Sequence, residues 1–517
     1  MTKLDAPLAA GQFFGAGRQD AYMRILNWEA TVSRRRTLSR LERYRLDYLY
    51  YTGDNMPPGQ FIQPLAINYL RATCESHASY LWGQWESQNR MVNWTVTPRD
   101  GKGNKETLSA VEQWLYHLFD GREELLYVAG LNQSIFGDCI LRPRWDYLTE
   151  SIVPESVLPE YFYAKWSAHD VTDLQEVIIS YPIDRMEADA EFGTIGDAQW
   201  ASATLGHATQ FAIYWEYWTR HARQVWIDNK LISEEPNPIG FEGYPGEIPF
   251  VHIPNVRSGG EFYGNSDIAS VKELQDELNR KMADLGDIIS YSAHPIVLIK
   301  KYFGKVAQLP VGPDAMWDMG RDGEAEYLGG GTPPVDINKY IATLLETFQD
   351  LSYMPAAAFG RSENTQSTAL AMAMEMMPVT QRVNIKRLHW KTGLTRYAHM
   401  AAIMAERKGV LPFSRKEFLR YYVDPNFASV LPKDRATSVN ENVALVTNGL
   451  RTIKRALDDL GERDSAKQAL EIIAEIEAKL ALGMRVNIGG MNSRGPGGSP
   501  DTGAQAREDN SIKTEGK

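Results

Sequence analysis

The chain has 517 residues, 43% hydrophobic and 23% charged, which is ordinary for a folded protein and long for a single core, so two or more structural regions are expected. Lys and Arg number 55 against 66 Asp and Glu, a net charge of -11, which excludes a chain that as a whole grips nucleic-acid phosphates. Cys74 and Cys139 are the two cysteines and form no Cys-x-x-Cys, which excludes a disulfide framework and a cysteine zinc site.

Met1 to Gly17 carries Asp5 and lacks an apolar stretch, so no signal peptide is expected, and no run of about 18 apolar residues predicts a membrane span. Tyr22, Ile25, Leu26, Trp28, Leu38, Leu41, Leu46 and Leu49 recur at helical spacing and predict a helix over 20–50. Its Arg34, Arg35, Arg36, Arg40, Arg43 and Arg45 form one local basic region. That region is either a solvated face beside Glu42 and Asp47 or a contact to a subunit or DNA. Tyr50-Tyr51-Thr52-Gly53-Asp54 and Pro57-Pro58 end it. Helices over 67–85 and 108–129 follow, then strands over 139–145, 176–181, 211–219 and 223–227, with a hairpin turn at Asp228-Asn229-Lys230.

Residues 264–293 carry the clearest helical stripe: Ile268, Val271, Leu274, Leu278, Met282 and Leu285. Ser266 or Asp267 is placed to cap it, Asp276 with Arg280 and Glu277 with Lys281 to pair along it, and Pro295 to stop it. Glycines and prolines punctuate 295–334 around the apolar run 295–299, which predicts a small β/turn module between helices. The next helix runs over 336–353 and Met354-Pro355 breaks it. After a loop with Gly360, Arg361, Ser362, Glu363 and Asn364, a long helix runs from about 367 to 407, kinked by Pro378. Its Met372, Met374, Met376 and Met377 suit adaptable packing. Helices over 439–447, 450–460 and 466–482 close the folded part, and the Gly/Ser-rich composition from Arg485 predicts disorder.

Enzyme signatures are missing. Gly101-Lys102-Gly103 and Gly304-Lys305-Val306 lack the Ser or Thr of a phosphate-binding loop, which argues against a P-loop motor. No His-Glu-x-x-His or Gly-x-Ser-x-Gly occurs, and His389 and His399, ten apart on one helix, do not reach a common metal. Acidic pairs such as Glu324 with Glu326, or Asp458 with Asp459, are expected by chance among 66 acidic residues. No catalytic residue, cofactor or metal is expected.

Several stretches together resemble the portal proteins of long-tailed bacteriophages. They are Tyr50-Tyr51-Thr52-Gly53-Asp54, then Asn68-Tyr69-Leu70 to Ser79-Tyr80-Leu81-Trp82-Gly83, and Phe136-Gly137-Asp138-Cys139-Ile140-Leu141. The most specific are Ile248-Pro249-Phe250-Val251-His252-Ile253-Pro254-Asn255, Tyr263-Gly264-Asn265-Ser266-Asp267-Ile268 and Leu274-Gln275-Asp276-Glu277-Leu278-Asn279-Arg280. Phe359-Gly360-Arg361-Ser362-Glu363 before Ser367-Thr368-Ala369-Leu370 completes the series, and the resemblance spans about 20–482.

The resemblance implies an α+β, mainly helical portal fold: a wing over 1–263, a first stem helix over 264–293, a β-containing clip over 294–335 and a second stem helix over 336–353. A tunnel loop over 354–367, a wing segment with the long kinked helix over 368–437, a helical crown over 438–484 and a disordered tail over 485–517 follow. It further implies a dodecameric ring at one capsid vertex of the virion, assembled in the bacterial cytoplasm without a membrane. Double-stranded DNA would pass through the ring during packaging and ejection. The terminase large subunit, the major capsid protein, the scaffolding protein and a head-completion adaptor would be partners. Met354, Phe359, Arg361 and Asn364 in the tunnel loop would face or support the DNA channel, and Lys300, Lys301 and Lys305 would be the clip's basic residues. Lys272, Glu273, Asp284 and Asp287 would lie on a wet stem wall. A DNA-processing enzyme (nuclease or motor) and a neck or tail structural protein without a channel stand as alternatives.

Overall fold

The computed structural model describes residues 23–29, 38–54, 67–83, 90–101, 103–193, 211–228, 230–240, 246–257, 259, 261–293, 296–300, 324–328, 335–361, 369–431, 435–460, 465–481, 486–488 and 491–493. The chain is mixed α and β, with more helix than strand, and divides into two compact units, 1–83 with 90–430, and 84–89 with 431–517. Among the described residues no helix is long and apolar enough to cross a membrane.

The larger unit begins with two helices where the periodicity predicts one: α1 over 23–29 and α2 over Arg40–Thr52. Ser39 restarts the helix because its hydroxyl accepts from the Glu42 amide while the Glu42 carboxylate accepts from the Ser39 amide at 2.8 Å, a reciprocal cap. Helix α3 (Tyr69–Trp82) is capped by Asn68. Strand β1 (Asn93–Pro98) precedes α4 (Lys105–His117) and α5 (Glu123–Phe136). The sequence merged these two helices over 108–129, but Gly121, at φ 68°, separates them.

Two antiparallel sheets follow. Strands β2 (Asp138–Asp146), β3 (Ser151–Val157) and β9 (Val251–Pro254) form one, in the order β3-β2-β9. Strands β4 (Phe162–Trp166), β5 (Leu174–Asp184), β6 (Phe211–Thr219), β7 (Ala222–Ile227) and β8 (Lys230–Pro236) form a five-stranded meander in chain order, with α6 (Arg185–Phe192) beside it. Alternating Ile140, Phe162, Val177, Trp218 and Phe250 fill one core between them. Burial of such large apolar side chains is worth about 1.5–3 kcal/mol each.

Helix α7 (Lys272–Ala293) and α8 (Val335–Ser352) form a packed pair, and between them β10 (Ile296–Lys300) pairs antiparallel with β11 (Glu324–Leu328). Helix α7 starts eight residues later than expected, because Ile268 and Val271 sit in turns closed by Ala269 N–H to Ser266 O and Val271 N–H to Ile268 O. The long helix is bipartite: α9 (Ala369–Glu375) and α10 (Met377–Lys408) meet at Met376, two residues before the Pro378 ring that removes a backbone donor. Helix α10 is the spine of this unit. Trp390 packs edge-on to Trp82 at 4.8 Å, and Gly393 lies so close to β9 that a Cβ there would meet Ile253 at 2.6 Å. Helix α11 (Arg415–Phe418) and β12 (Tyr421–Asn426), paired with β1, complete the unit.

The smaller unit contains α12 (Arg435–Thr447), α13 (Ile453–Asp459) and α14 (Ser465–Ala481). Within the stretch whose composition predicts disorder, β13 (Val486–Ile488) pairs antiparallel with β14 (Met491–Ser493). The rest of that tail lies outside the described residues.

Candidate functional site

Distant sequence motifs converge on one buried polar node at the root of α7. Asp138, fully buried, accepts from the Tyr44 hydroxyl at 2.5 Å, from His252 Nε2 at 2.6 Å and from the Gly264 amide at 2.8 Å. Asn255 N–H donates to the Gly137 carbonyl at 2.8 Å, and its side-chain amide donates to Asp267 Oδ1 at 2.8 Å. Gly264 is obligatory here. A Cβ would meet the Gly137 carbonyl oxygen at 2.1 Å, so only a bare backbone fits between the end of α5 and this turn.

Asp267 is therefore no helix cap. It is buried beside Lys386, which it pairs with directly, and beside Arg382 at 3.1 Å. Burial alone would oppose its ionisation. The Lys386 charge, with His77, Arg382 and the Asn255 amide behind it, instead holds its carboxyl well below the usual carboxylate range. Lys386 also donates to the Ser134 hydroxyl at 2.9 Å. Val379, Val383, Lys386 and Trp390 share one buried stripe of α10, so a lysine on an apolar face was the signal in the sequence that this pair leaves.

The first turns of α7 are clamped onto α2 and α3. The Gln275 side chain, 3% exposed for the residue, donates to the Ile67 carbonyl and accepts from the Tyr69 amide at 3.1 Å. Asn279 accepts from the Ile67 amide at 3.2 Å, and the Tyr50 hydroxyl donates to Asp276 at 2.6 Å. Lys272, expected on a wet wall, is instead paired with Asp47. Asp47 is pushed up to about 6 by burial, which the Lys272 charge only partly offsets. Along the helix Arg280 pairs with Glu277 at 2.7 Å and Lys281 with Asp284 at 2.9 Å, both at i,i+3 spacing. Further along, Leu278, Ile341 and Leu344 make an apolar seam with Leu274, Met282 and Ile337. Outside that seam Ile289, Tyr340 and Leu351 are exposed, at 56%, 45% and 45%.

Helix α8 ends at Tyr353, whose φ of 59° turns the chain, and the next residues are anchored rather than free. His77 is fully buried and its Nε2 lies 3.0 Å from the Ser352 carbonyl, so this nitrogen carries the hydrogen and donates. Burial pushes the His77 imidazole down to about 4. Tyr80 O–H donates to the Ala358 carbonyl at 3.2 Å, and Arg382 lies 5.2 Å over the Tyr353 ring. Met354 is fully buried, the place of an apolar support. Phe359 ends a 3-10 turn and meets Tyr69 edge-on at 6.5 Å. Gly360, at φ 73°, releases the chain, and Arg361 is exposed just beyond it, its amide donating to the Ala356 carbonyl. Asn364 lies outside the described residues. Lys300 is exposed at the end of β10, opposite Glu324 in register, while Lys301 and Lys305 lie outside the described residues.

Of the basic cluster near the N-terminus, Arg40 is neither a solvated face nor a contact. It is 8% exposed, held by Glu29 at 3.4 Å and the Pro159 carbonyl at 2.9 Å, and stacked 4.5 Å from the Tyr263 ring. Arg34, Arg35 and Arg36 lie outside the described residues. His399 meets Phe418 edge-on at 5.1 Å, an ordinary packing role.

These observations describe a helix pair with a β-hairpin between its helices, rooted by polar clamps and followed by an anchored turn that ends at an exposed arginine. A family model described as phage portal protein, SPP1 Gp6-like, matches residues 34–480. A search of curated proteins finds no match to the chain.

Proposed function

The chain belongs to the SPP1 Gp6-like phage portal proteins, and from that premise we propose how its parts serve the portal role. A portal is a structural protein of the capsid vertex, with capsid and terminase among its partners and DNA passing through it. We assign α7 and α8 to the two stem helices, 294–335 to the clip, and 354–367 to the tunnel loop. The long bipartite helix belongs with 1–263 in the wing, and α12 to α14 form the crown.

The observation that carries this assignment is the α7–hairpin–α8 arrangement, with exposed apolar side chains outside its seam. A pair with exposed apolar side chains outside its seam is completed by neighbours, and a heterologous contact repeated by rotation closes into a ring, of about twelve copies as the resemblance to portals implies. Ile289, Tyr340 and Leu351 would lie between subunits. The net charge of -11 suits a channel that DNA slides past, because counterion release on tight phosphate contact would hold it in place. Clip residues around Lys300 would face the terminase during packaging and the head-completion adaptor afterwards, and the scaffolding protein would seed ring incorporation into the head.

Arg361, exposed at the point where the anchored turn releases the loop, would meet the passing DNA with Asn364, while Met354 and Phe359 hold the loop's base. Replacing Arg361 by Ala and by Glu tests this. Packaged DNA per particle should fall with Ala and fall further with Glu, with rings of normal mass. Unchanged packaging in both variants would contradict the assignment.

A further inference from the structure

A cavity of about 140 Å³ opens in the larger unit between β9, the turn leading into β5, and α10. Engineered cavities of about this size take up a benzene-sized molecule. The polar part of its wall comes from Thr172 before β5, His252 on β9, Arg257 just after it, and His389, Thr392 and Arg396 on successive turns of α10. No Asp or Glu belongs to the wall.

Arg396 is engaged by Glu247 at 3.0 Å and by the Thr172 carbonyl. Arg257 is different. Among the described residues it forms no ion pair, and its buried Nε has no hydrogen-bond partner. Asp138 and Asp170 lie near enough to favour its charge without pairing with it. The His252 side chain is 4% exposed and stacks on Phe262 at 4.2 Å. Its Nε2 is held by Asp138, and its buried Nδ1 has no partner. Burial, with the charge of Arg257 and the neighbouring His252, holds His389 below the ordinary imidazole range. Burial likewise lowers His252 against the pull of Asp138, with Arg257 and Arg40 adding to the lowering.

A guanidinium that forms no ion pair among the described residues and two imidazoles thus converge on a partly buried hollow whose lining holds no carboxylate. An anion seated there gives the Arg257 guanidinium the partner it lacks and accepts hydrogen bonds from the groups around it. We propose that this cavity binds a small tetrahedral oxyanion of the phosphate class, with Arg257 as its principal donor and His389 and Thr392 completing the seat. The site lies apart from α7, α8 and the turn at Arg361, so it stands or falls independently of the channel assignment.

Calorimetric titration of the full chain with inorganic phosphate, against sodium chloride at the same ionic strength, tests this. Wild type should show saturable binding. Arg257→Gln should weaken it at least about tenfold, which is about 1.4 kcal/mol. His389→Gln should weaken it less, and the surface variant Arg71→Gln should leave it unchanged. His389→Gln keeps the test open should Arg257→Gln fail to fold, which a circular dichroism melt in chloride would reveal. No phosphate-specific heat in wild type, or the same affinity in both cavity variants, would overturn the proposal.

Discussion

The node around Asp267 and the pair α7 with α8 are neighbours in one unit, yet opposite chemistry holds them. The node buries an ion pair, an extra arginine, an asparagine and a histidine, each with partners on different elements. The helix pair is joined along an apolar seam, rests on α2 and α3 at its root through Phe348 and Leu274, and carries Ile289, Tyr340 and Leu351 exposed outside those contacts. A buried ion network tolerates one arrangement only, because removing either partner strands a charge. An apolar seam is more forgiving, and a half-covered helix pair can be completed by a second copy. The difference teaches that the root is built for fixed geometry within one chain, while the helix pair, on the proposed reading, would be completed by a neighbouring copy.

Four changes would break or sharpen this contrast. Asp267→Ala strands Lys386 and Arg382 and should cost about 3–5 kcal/mol in urea unfolding. The double variant Asp267→Leu with Lys386→Met should recover part of that loss, because the fully buried Lys386 charge is gone and only Arg382 is left without its partner. A cost below about 1 kcal/mol for the single variant would show that the node is not the rigid element. Leu278→Ala, in the seam, should cost about 3 kcal/mol. Hydrogen exchange should locate that loss in α7 and α8 and leave the five-stranded sheet protected.

The third change is pH. The unfolded His77 side chain takes up a proton near its ordinary value of about 6.5, whereas the folded one does so only at about 4. Stability is therefore lost as pH falls through that window, by about 2–3 kcal/mol at its lower end. His77→Gln should flatten the slope of urea midpoint against pH there, and an unaltered slope would remove His77 as the titrating anchor. The smallest effect on stability is expected from Arg361→Glu, within about 0.5 kcal/mol, measured by the same unfolding curves. A larger loss would mean that the arginine belongs to the anchored turn rather than to the channel.

The sequence carried the elements better than the node. Strand β6 and the limits of α8 were legible because alternation and the 3.6-residue stripe are local signals. The merged helices over 20–50 and over 108–129 failed at Ser39 and at Gly121, where a cap and a single left-handed residue override a continuous apolar stripe. Asp267 looked like a helix cap because its partner Lys386 stands 119 residues away, and Asp138 meets His252 across 114. Gln275, Asp276 and Asn279 appeared in a motif whose reason was invisible until α3 was placed beside them. The cavity wall leaves no local signal, since His252, Arg257 and His389 meet only through the fold.

The central claim is that the exposed faces of α7 and α8 are completed by neighbouring copies in a closed ring. Electron microscopy of the purified protein, scored for rotational symmetry, tests it most directly. The account predicts a ring of about a dozen subunits with a central hole, with the two-helix shafts side by side around it. A ring whose subunits meet elsewhere, with the Ile289 and Tyr340 faces left in solvent, would contradict it.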